Sequence, residues 1–476
     1  MRRLALILSL SLTGCLEPVE PTTTKPAGWE VQDQTLRDPQ GRHTLLRGIN
    51  ARVEGLFDVT FDDGRVALEE IPPFTGDDCS LLARELGMNF LRLPVNWSGL
   101  EPERGQYNQL YINHILTLVT ACGEAGIVTL VDLHQDAWSK HIGEDGAPLW
   151  AIIPPPTELL EGPLDDLGDR RASAQALQAS ASFFDNVDGI RDAYAAMAAH
   201  LAQQIAANDY VVGLELMNEP VLLLSDPEDL DEFHRAVVPV IRERAPNLPI
   251  WWEPDTLRNL TDKADVSDGF PDTNAVYAPH MYTNVFESGW TAADITALTQ
   301  SMRGAADEAR ELGMPWCAGE YGHDPKLPEG LLYISLMQSL MDEHLACGAV
   351  WVYEEYSQGS WGLYNPRATD STRGTLRPDF MRTLAHPYPQ QIAGTLLATA
   401  YDSDARTLTV DFEPQGDGLA HLIAAPQYAQ SQELEPQARC AGTEVPISLS
   451  RLTGRLAVSC DRSPLVITYP QPVSNP

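Results

Sequence analysis

Basic residues are scarce in this chain: 32 Lys and Arg stand against 67 Asp and Glu among 476 residues, a formal net charge of −35. So large an acidic excess repels DNA, RNA and anionic lipid surfaces, which excludes nucleic-acid binding and favours solubility. Long hydrophobic runs are also lacking. Beyond Leu4–Leu12, no stretch approaches the ~20 apolar residues that span a bilayer. Glycine-rich nucleotide loops are missing, because fragments such as Gly143–Gly146 lack the strand and helix that must flank them. The seven cysteines are not spaced as zinc or iron–sulfur ligands. His134-Gln135-Asp136 is too tight for a zinc pair by itself, so neither a metal nor a cofactor is expected. What remains is a globular composition, 43% hydrophobic, long enough for a large barrel and a smaller module.

The N-terminus is set apart from the fold. Arg2 and Arg3 precede the apolar run Leu4–Leu12, and Leu12-Thr13-Gly14-Cys15 follows. The segment resembles a bacterial lipoprotein signal, in which the cysteine after the cut becomes the acylated N-terminus. The expectation is therefore a signal peptide over 1–14, an acylated Cys15, and a Pro- and Thr-rich tether to residue 28. An exported lipoprotein follows from this. Leu16 is similar to lipoproteins sent to an outer membrane, on its periplasmic or its external face.

From about residue 40 to 386 a pattern repeats: a short apolar or β-branched run ending in polar residues, a loop, then an amphipathic helix. The runs are Thr44–Asn50, Asn89–Val95, Gly126–His134, Val211–Glu219, Pro249–Pro254, Ala275–Tyr282, Met314–Tyr321 and Ala349–Tyr356. Eight strands alternating with helices predict an α/β fold, a closed (β/α)8 TIM barrel, over an open doubly wound sheet. Residues 135–189 form a long excursion after the third strand, of the kind that shapes a cleft. After His386-Pro387-Tyr388-Pro389 the helical periods stop, and runs such as Thr407–Phe412, Ala420–Ala424 and Leu456–Thr468 predict a C-terminal β-sandwich over 389–476, with 29–388 as the barrel. Within that module Cys440 and Cys460 are expected to form a disulfide. Cys79, Cys122, Cys317 and Cys347 are open between buried thiols and local pairs.

Polar residues at the ends of barrel strands converge on one face. The fourth strand runs into Asn218-Glu219-Pro220, and the seventh ends Gly319-Glu320-Tyr321. If the two carboxyls face each other ~5–5.5 Å apart, one can attack an anomeric carbon while the other protonates the leaving oxygen. The alternative is that each is a solvated loop acid or a core ion pair.

Asn218-Glu219-Pro220 resembles the acid/base motif of glycoside hydrolase family 5, and Glu320 matches its nucleophile strand. Arg92 in Leu91-Arg92-Leu93-Pro94, His134 in Asp132-Leu133-His134-Gln135-Asp136, His280, Tyr282 and Trp351 are similarly placed. The likeness is strongest to endoglycoceramidases and related glycolipid β-glycosidases. It is carried by Asp136-Ala137-Trp138-Ser139, Gly143-Glu144-Asp145-Gly146-Ala147-Pro148, Trp252-Glu253-Pro254 and Tyr388-Pro389-Gln390-Gln391-Ile392-Ala393-Gly394-Thr395. Glu354-Glu355-Tyr356 departs from that group and leaves the sugar preference open.

The resemblance implies a retaining β-glycosidase that cleaves the glycan–ceramide bond by double displacement, Glu219 being acid/base and Glu320 nucleophile. Arg92 would hold the nucleophile ionised and Asn218 would bond the sugar 2-hydroxyl. Tyr282 would donate to Glu320, His134 and Asp136 would bind sugar hydroxyls, and His280 would tune Glu219. Glu219 itself needs a raised pKa. Trp351 offers a face for a pyranose. The plainer readings make Arg92 a strand bridge, His134 and His280 satisfied core residues, and Trp351 barrel filling. Trp97, Trp138, Trp150, Trp290 and Trp361 are open between groove and core.

The expected partners are a glycolipid or other β-glycoside and, through the N-terminal anchor, a membrane; the chain is expected to be a monomer. Alternatives are an endo-β-glucanase or mannanase, a β-glucosidase on another hydrophobic aglycone, and a binding lipoprotein without catalysis. The apolar Val221-Leu222-Leu223-Leu224 directly after the acid/base motif favours a lipid.

Overall fold

In the computed structural model of the chain, residues 28–470 are described except 165–169, 268, 287–288, 357–360, 369–372, 417 and 428–434. Cys15, the signal segment and most of the tether therefore lie outside the described residues.

Eight parallel strands form the barrel: β1 (Arg47–Asn50), β2 (Phe90–Asn96), β3 (Val128–His134), β4 (Val211–Glu215), β5 (Ile250–Trp252), β6 (Ala275–Tyr277), β7 (Cys317–Tyr321) and β8 (Cys347–Val350). β7 pairs with β8, β8 with β1, and the order then continues through β6. Tyr277–Trp316 and Met281–Tyr321 bridges close the last seam. Seven of the eight strands are buried at every residue, and β3 at all but its first; this is why the runs read as continuously apolar rather than alternating.

Local chemistry ends the helices where the chain must turn. Thr291 and Asp294 make a reciprocal capping box at the start of Ala292–Leu312, and Gly313 at φ +70° ends it. Asn108 caps Gln109–Glu124 by accepting the Tyr111 N–H, while Ile112, Ile115, Leu118, Val119 and Cys122 face inward. A disulfide from Cys122 to Cys79 ties that helix to Gly76–Leu81. Inside the barrel, Trp251 occupies the space where a side chain on Gly213 would stand: a Cβ there would lie 2.4 Å from the indole.

Two antiparallel sheets pack as a sandwich around Leu396, Leu408, Val410, Phe412, Ile423 and Ile467. One difference from expectation concerns their limits. Strands Glu30–Gln32, Thr35–Arg37 and His43–Thr44, expected in the barrel unit, join the seven-stranded sheet through Thr44 and Gln391. Their Trp29 and Leu36 also pack with Phe90, Leu130, Val212 and Trp251. The same short hairpin thus pairs with the sandwich and covers apolar barrel side chains. The expected Leu456–Thr468 run is two strands, Arg455–Val458 and Leu465–Thr468, each pairing in a different sheet. Cys440 and Cys460 are bonded, whereas Cys317 and Cys347 are free, buried thiols on neighbouring strands.

Candidate active site

The expected fourth strand runs to Glu219; the observed one stops at Glu215. Residues beyond it turn inward, with the Asn218 N–H donating to Leu133 O at 3.1 Å and Glu219 held at φ +39°. Such a backbone is costly for a residue with a Cβ, and it persists because its neighbours pin it. Gln135 Nε2 donates to the carbonyls of both Asn218 (2.8 Å) and Glu219 (3.0 Å), and Glu253 Oε2 accepts the Glu219 N–H at 3.2 Å.

Glu320 comes from inside β7. Arg92 Nη1 donates to its Oε1 at 2.7 Å, and Tyr282 donates to its Oε2 at 2.8 Å. One oxygen of Glu219, one of Glu320 and a ring nitrogen of His280 all lie within 4.8 Å of one another. That spacing matches a nucleophile facing an acid and is too short for a carboxylate pair that must hold a water between them.

Arg92, fully buried in β2, is the hub of the floor. It donates to Glu215 (2.6 Å), Asn50 (3.0 Å), Asn218 Oδ1 (2.9 Å) and Glu253 (3.0 Å) besides Glu320. Asp132 lies 3.2 Å away. Burial of so many acids outweighs even this cation for Glu215, whose carboxyl is pushed up to about 8. The Asn218 amide is engaged at both ends, since its Nδ2 also donates to Gln135 O at 3.1 Å. His134 meets Asp132 at 2.6 Å and stacks on Trp351, centroids 5.8 Å apart and planes within 10°. Asp136 lies 3.5 Å from His134 Nε2. The nine expected site residues thus gather at one mouth.

Glu219 itself differs from expectation. Burial alone would raise its carboxyl, but the His280 hydrogen bond and charge, Arg171 and His134 together hold it down at about 2. His280 is correspondingly pushed well above the ordinary imidazole range: burial opposes its charge, and Glu253, Glu320 and Glu219 overcome that. Both directions favour the proton of the pair on His280 over Glu219.

Three contacts to this site were not foreseen. Asn259 donates to Glu219 Oε1 at 2.7 Å. Arg171, from the long excursion, lies 2.8 Å from Asp136 and 3.5 Å from Glu219. Glu253 touches Glu219, His280 and Arg92. Glu253 was legible by the strand-end rule, standing in Trp252-Glu253-Pro254, but Asn259 stands in the single helical turn Arg258–Thr261, too short for a periodic signal, and Arg171 in a turn of the excursion. Trp97, Trp138 and Trp150 pack with Phe183 and Tyr194 in the core, whereas Trp361 stands by Tyr282, centroids 6.3 Å apart.

Donor atoms of His134, Asp136 and Asp145, and of Glu219, His280 and Glu320, are close enough to share a cation. In each group arginine and histidine already supply the positive charge.

A parallel barrel with two facing carboxylates and a buried arginine under them defines a glycosidase. The family model for cellulase, glycosyl hydrolase family 5, matches residues 64–353, and the chain belongs to that family. It is 27% identical to endoglycoceramidase I of Rhodococcus hoagii over 428 residues, 84% of this chain and 79% of that protein. Its fold is similar to that of an endogalactoceramidase (TM-score 0.75, 24% identity, 93% of this chain and 100% of that one). The ganglioside GM3 complex of endo-glycoceramidase II from Rhodococcus sp. has the same fold (TM-score 0.74, 23% identity, covering 94% and 100%).

Proposed function

We propose that the protein is a retaining β-glycosidase that releases the glycan from a ceramide-type glycolipid, with Glu320 as nucleophile and Glu219 as acid/base. The observation that carries the mechanism is the approach of the two carboxylates to within 4.8 Å. Glu320 attacks the anomeric carbon, Glu219 protonates the leaving oxygen, and Glu219 then takes a proton from the water that hydrolyses the glycosyl-enzyme. Arg92 and Tyr282 orient the nucleophile, Asn218 bonds the sugar 2-hydroxyl, His134 and Asp136 bind hydroxyls, and Trp351 supports the ring.

The leaving group departs on the Glu219 side, and that side is apolar. Leu223 and Leu224 are half-exposed three and four residues beyond Pro220, and Leu257 and Leu260 stand either side of Asn259; Phe286, 83% exposed, stands against Trp361, which neighbours the Glu320 partner Tyr282. A crevice of about 310 Å³ adjoins Leu223 and Leu257, walled by Leu222, Trp252, Pro254, Leu257 and Val266 and rimmed by charged side chains that include Glu228, Asp231, Asp255 and Lys263. Exposed apolar side chains clustered beside an acid/base favour a hydrocarbon aglycone over a polysaccharide. The relatives named endoglycoceramidase and the ganglioside complex point the same way.

The two disulfides accord with folding in an oxidising compartment outside the cytoplasm. No helix among the described residues is long and apolar enough to cross a membrane. Acylated Cys15 would hold a monomeric enzyme at an outer membrane. Turnover of a fluorescent glycosylceramide beside a cello-oligosaccharide and an aryl glucoside tests the substrate: preference for the ceramide is expected, and preference for the oligosaccharide overturns it. Palmitate labelling that Cys15→Ser removes tests the anchor.

A further inference from the structure

We infer that Glu253 is a positioning residue of the acid/base, holding His280 and the Glu219 backbone so that His280 stores the proton that Glu219 delivers. This rests on Glu219 being the acid/base.

One carboxylate meets three groups. Glu253 Oε2 accepts the Glu219 N–H at 3.2 Å and lies 3.1 Å from His280 Nε2, while its Oε1 accepts from Arg92 at 3.0 Å. On the other edge of the ring, His280 Nδ1 is 2.9 Å from Glu219 Oε1. The imidazole thus lies between two carboxylates, Nδ1 hydrogen-bonded to Glu219 and Nε2 3.1 Å from Glu253 without a well-directed hydrogen bond, an arrangement that sets Nδ1 toward the acid. Glu253 also secures the φ +39° turn that carries Glu219 into the mouth.

The groups facing His280 are Glu219 from the end of β4, Glu253 from the end of β5 and Glu320 from β7 at 3.5 Å. Tyr282 stands edge-on at 6.2 Å, and Arg258 donates to the His280 carbonyl at 3.4 Å. Arg92 and Arg171 stand behind Glu253 and Glu219.

The proton moves from His280 Nδ1 to Glu219 Oε1, leaving a neutral ring whose remaining N–H, on Nε2, faces Glu253. Glu219 then passes that proton to the glycosidic oxygen as its bond to the anomeric carbon breaks and the Glu320 oxygen bonds the carbon. In the second half, the attacking water gives its proton to Glu219, and the pair regains its resting state. Burial pushes the Glu253 carboxyl up, with His280 and Arg92 opposing that; in its ionised form its negative charge favours the proton on the pair.

The test compares kcat/KM for phenyl β-lactoside, whose leaving group needs an acid, with 2,4-dinitrophenyl β-lactoside, whose leaving group does not. Glu253→Gln keeps the shape and removes the charge. The phenyl substrate is expected to lose at least about tenfold more than the dinitrophenyl one. The alkaline limb of its pH profile is expected to move down by about one unit or more. Equal loss on both substrates with an unmoved limb overturns the inference, because a merely structural residue lowers both alike.

Should Glu253→Gln not fold, Glu253→Asp decides: it retracts the charge from all three partners, so selective loss on the phenyl substrate supports the inference and uniform loss overturns it. Glu219→Ala separates the two readings. Without selective loss in that variant, the acid/base reading fails; with it, and none at Glu253, the positioning role alone fails.

Discussion

Glu219 and Glu320 face each other across a single ring nitrogen: His280 Nδ1 lies 2.9 Å from Glu219 and 3.5 Å from Glu320. Two buried acids this close repel when both are ionised, and His280, Arg92 and Tyr282 remove that repulsion in different ways. Arg92 and Tyr282 bond the two oxygens of Glu320 directly and fix its orientation. His280 instead meets Glu219 through Nδ1, where a ring proton offsets the second negative charge. Glu320→Gln should abolish both turnover and covalent labelling by a 2-fluoro glycoside, read by intact-protein mass; labelling that persists removes Glu320 as nucleophile.

Glu219→Ala should slow unactivated β-glycosides by about 10²–10⁴-fold. Added azide, which needs no general base, should restore turnover as a glycosyl azide. Unchanged rates or absent azide product would assign the acid role elsewhere.

Asn259 stabilises the ionised form of Glu219 through its 2.7 Å hydrogen bond. A bond to a charged acceptor is worth about 1.5–3 kcal/mol, so Asn259→Ala should raise the proton affinity of Glu219. With the proton stored on His280, Glu219 is ionised on both sides of the alkaline limb, so that limb should stay in place. A pH profile of kcat/KM thus distinguishes Asn259→Ala from Glu253→Gln, which moves the limb down.

Arg92 is the cation under four acids, Asp132, Glu215, Glu253 and Glu320, and breaking such a buried set leaves charges without a partner. Arg92→Met should cost about 3–5 kcal/mol in urea unfolding. Arg92→Lys should recover part of this, since one ammonium cannot reproduce a planar fork that reaches Glu215, Asn50, Asn218, Glu253 and Glu320.

The apolar rim should matter only for a lipid. Full burial of a leucine is worth about 1.5–3 kcal/mol, so Leu223→Ser with Leu224→Ser should raise KM for a glycosylceramide at least tenfold and leave an aryl lactoside unchanged. Equal effects on both substrates would detach the rim from aglycone binding.

Much of this was legible in the chain itself. Strands buried on both faces must be apolar throughout, so the eight barrel runs stand out, and a polar residue ending one must lie at the mouth; Glu219 and Glu320 follow from that rule, while Arg92, His134 and His280 stand out through the family motifs that hold them. The families of contact that decide protonation were not legible. Asn259 and Arg171 reach Glu219 from a single helical turn and a chain turn 40 and 48 residues away in sequence, both too short for periodicity to mark them. The raised pKa expected of an acid was likewise a property assigned to one residue, whereas charge in a buried site belongs to the whole cluster. The pairing of Cys79 with Cys122, and the freedom of Cys317 and Cys347, depended on which helices and strands came to lie side by side.

The sequence by itself determined the eightfold alternation, the two strand-end carboxylates and the change to β-structure after residue 386, because periodicity and burial are local and repeated. Only the tertiary structure decided where the acid proton resides and that residues 30–44 pair with a sandwich 350 residues downstream, because electrostatic coupling and strand pairing depend on distance in space.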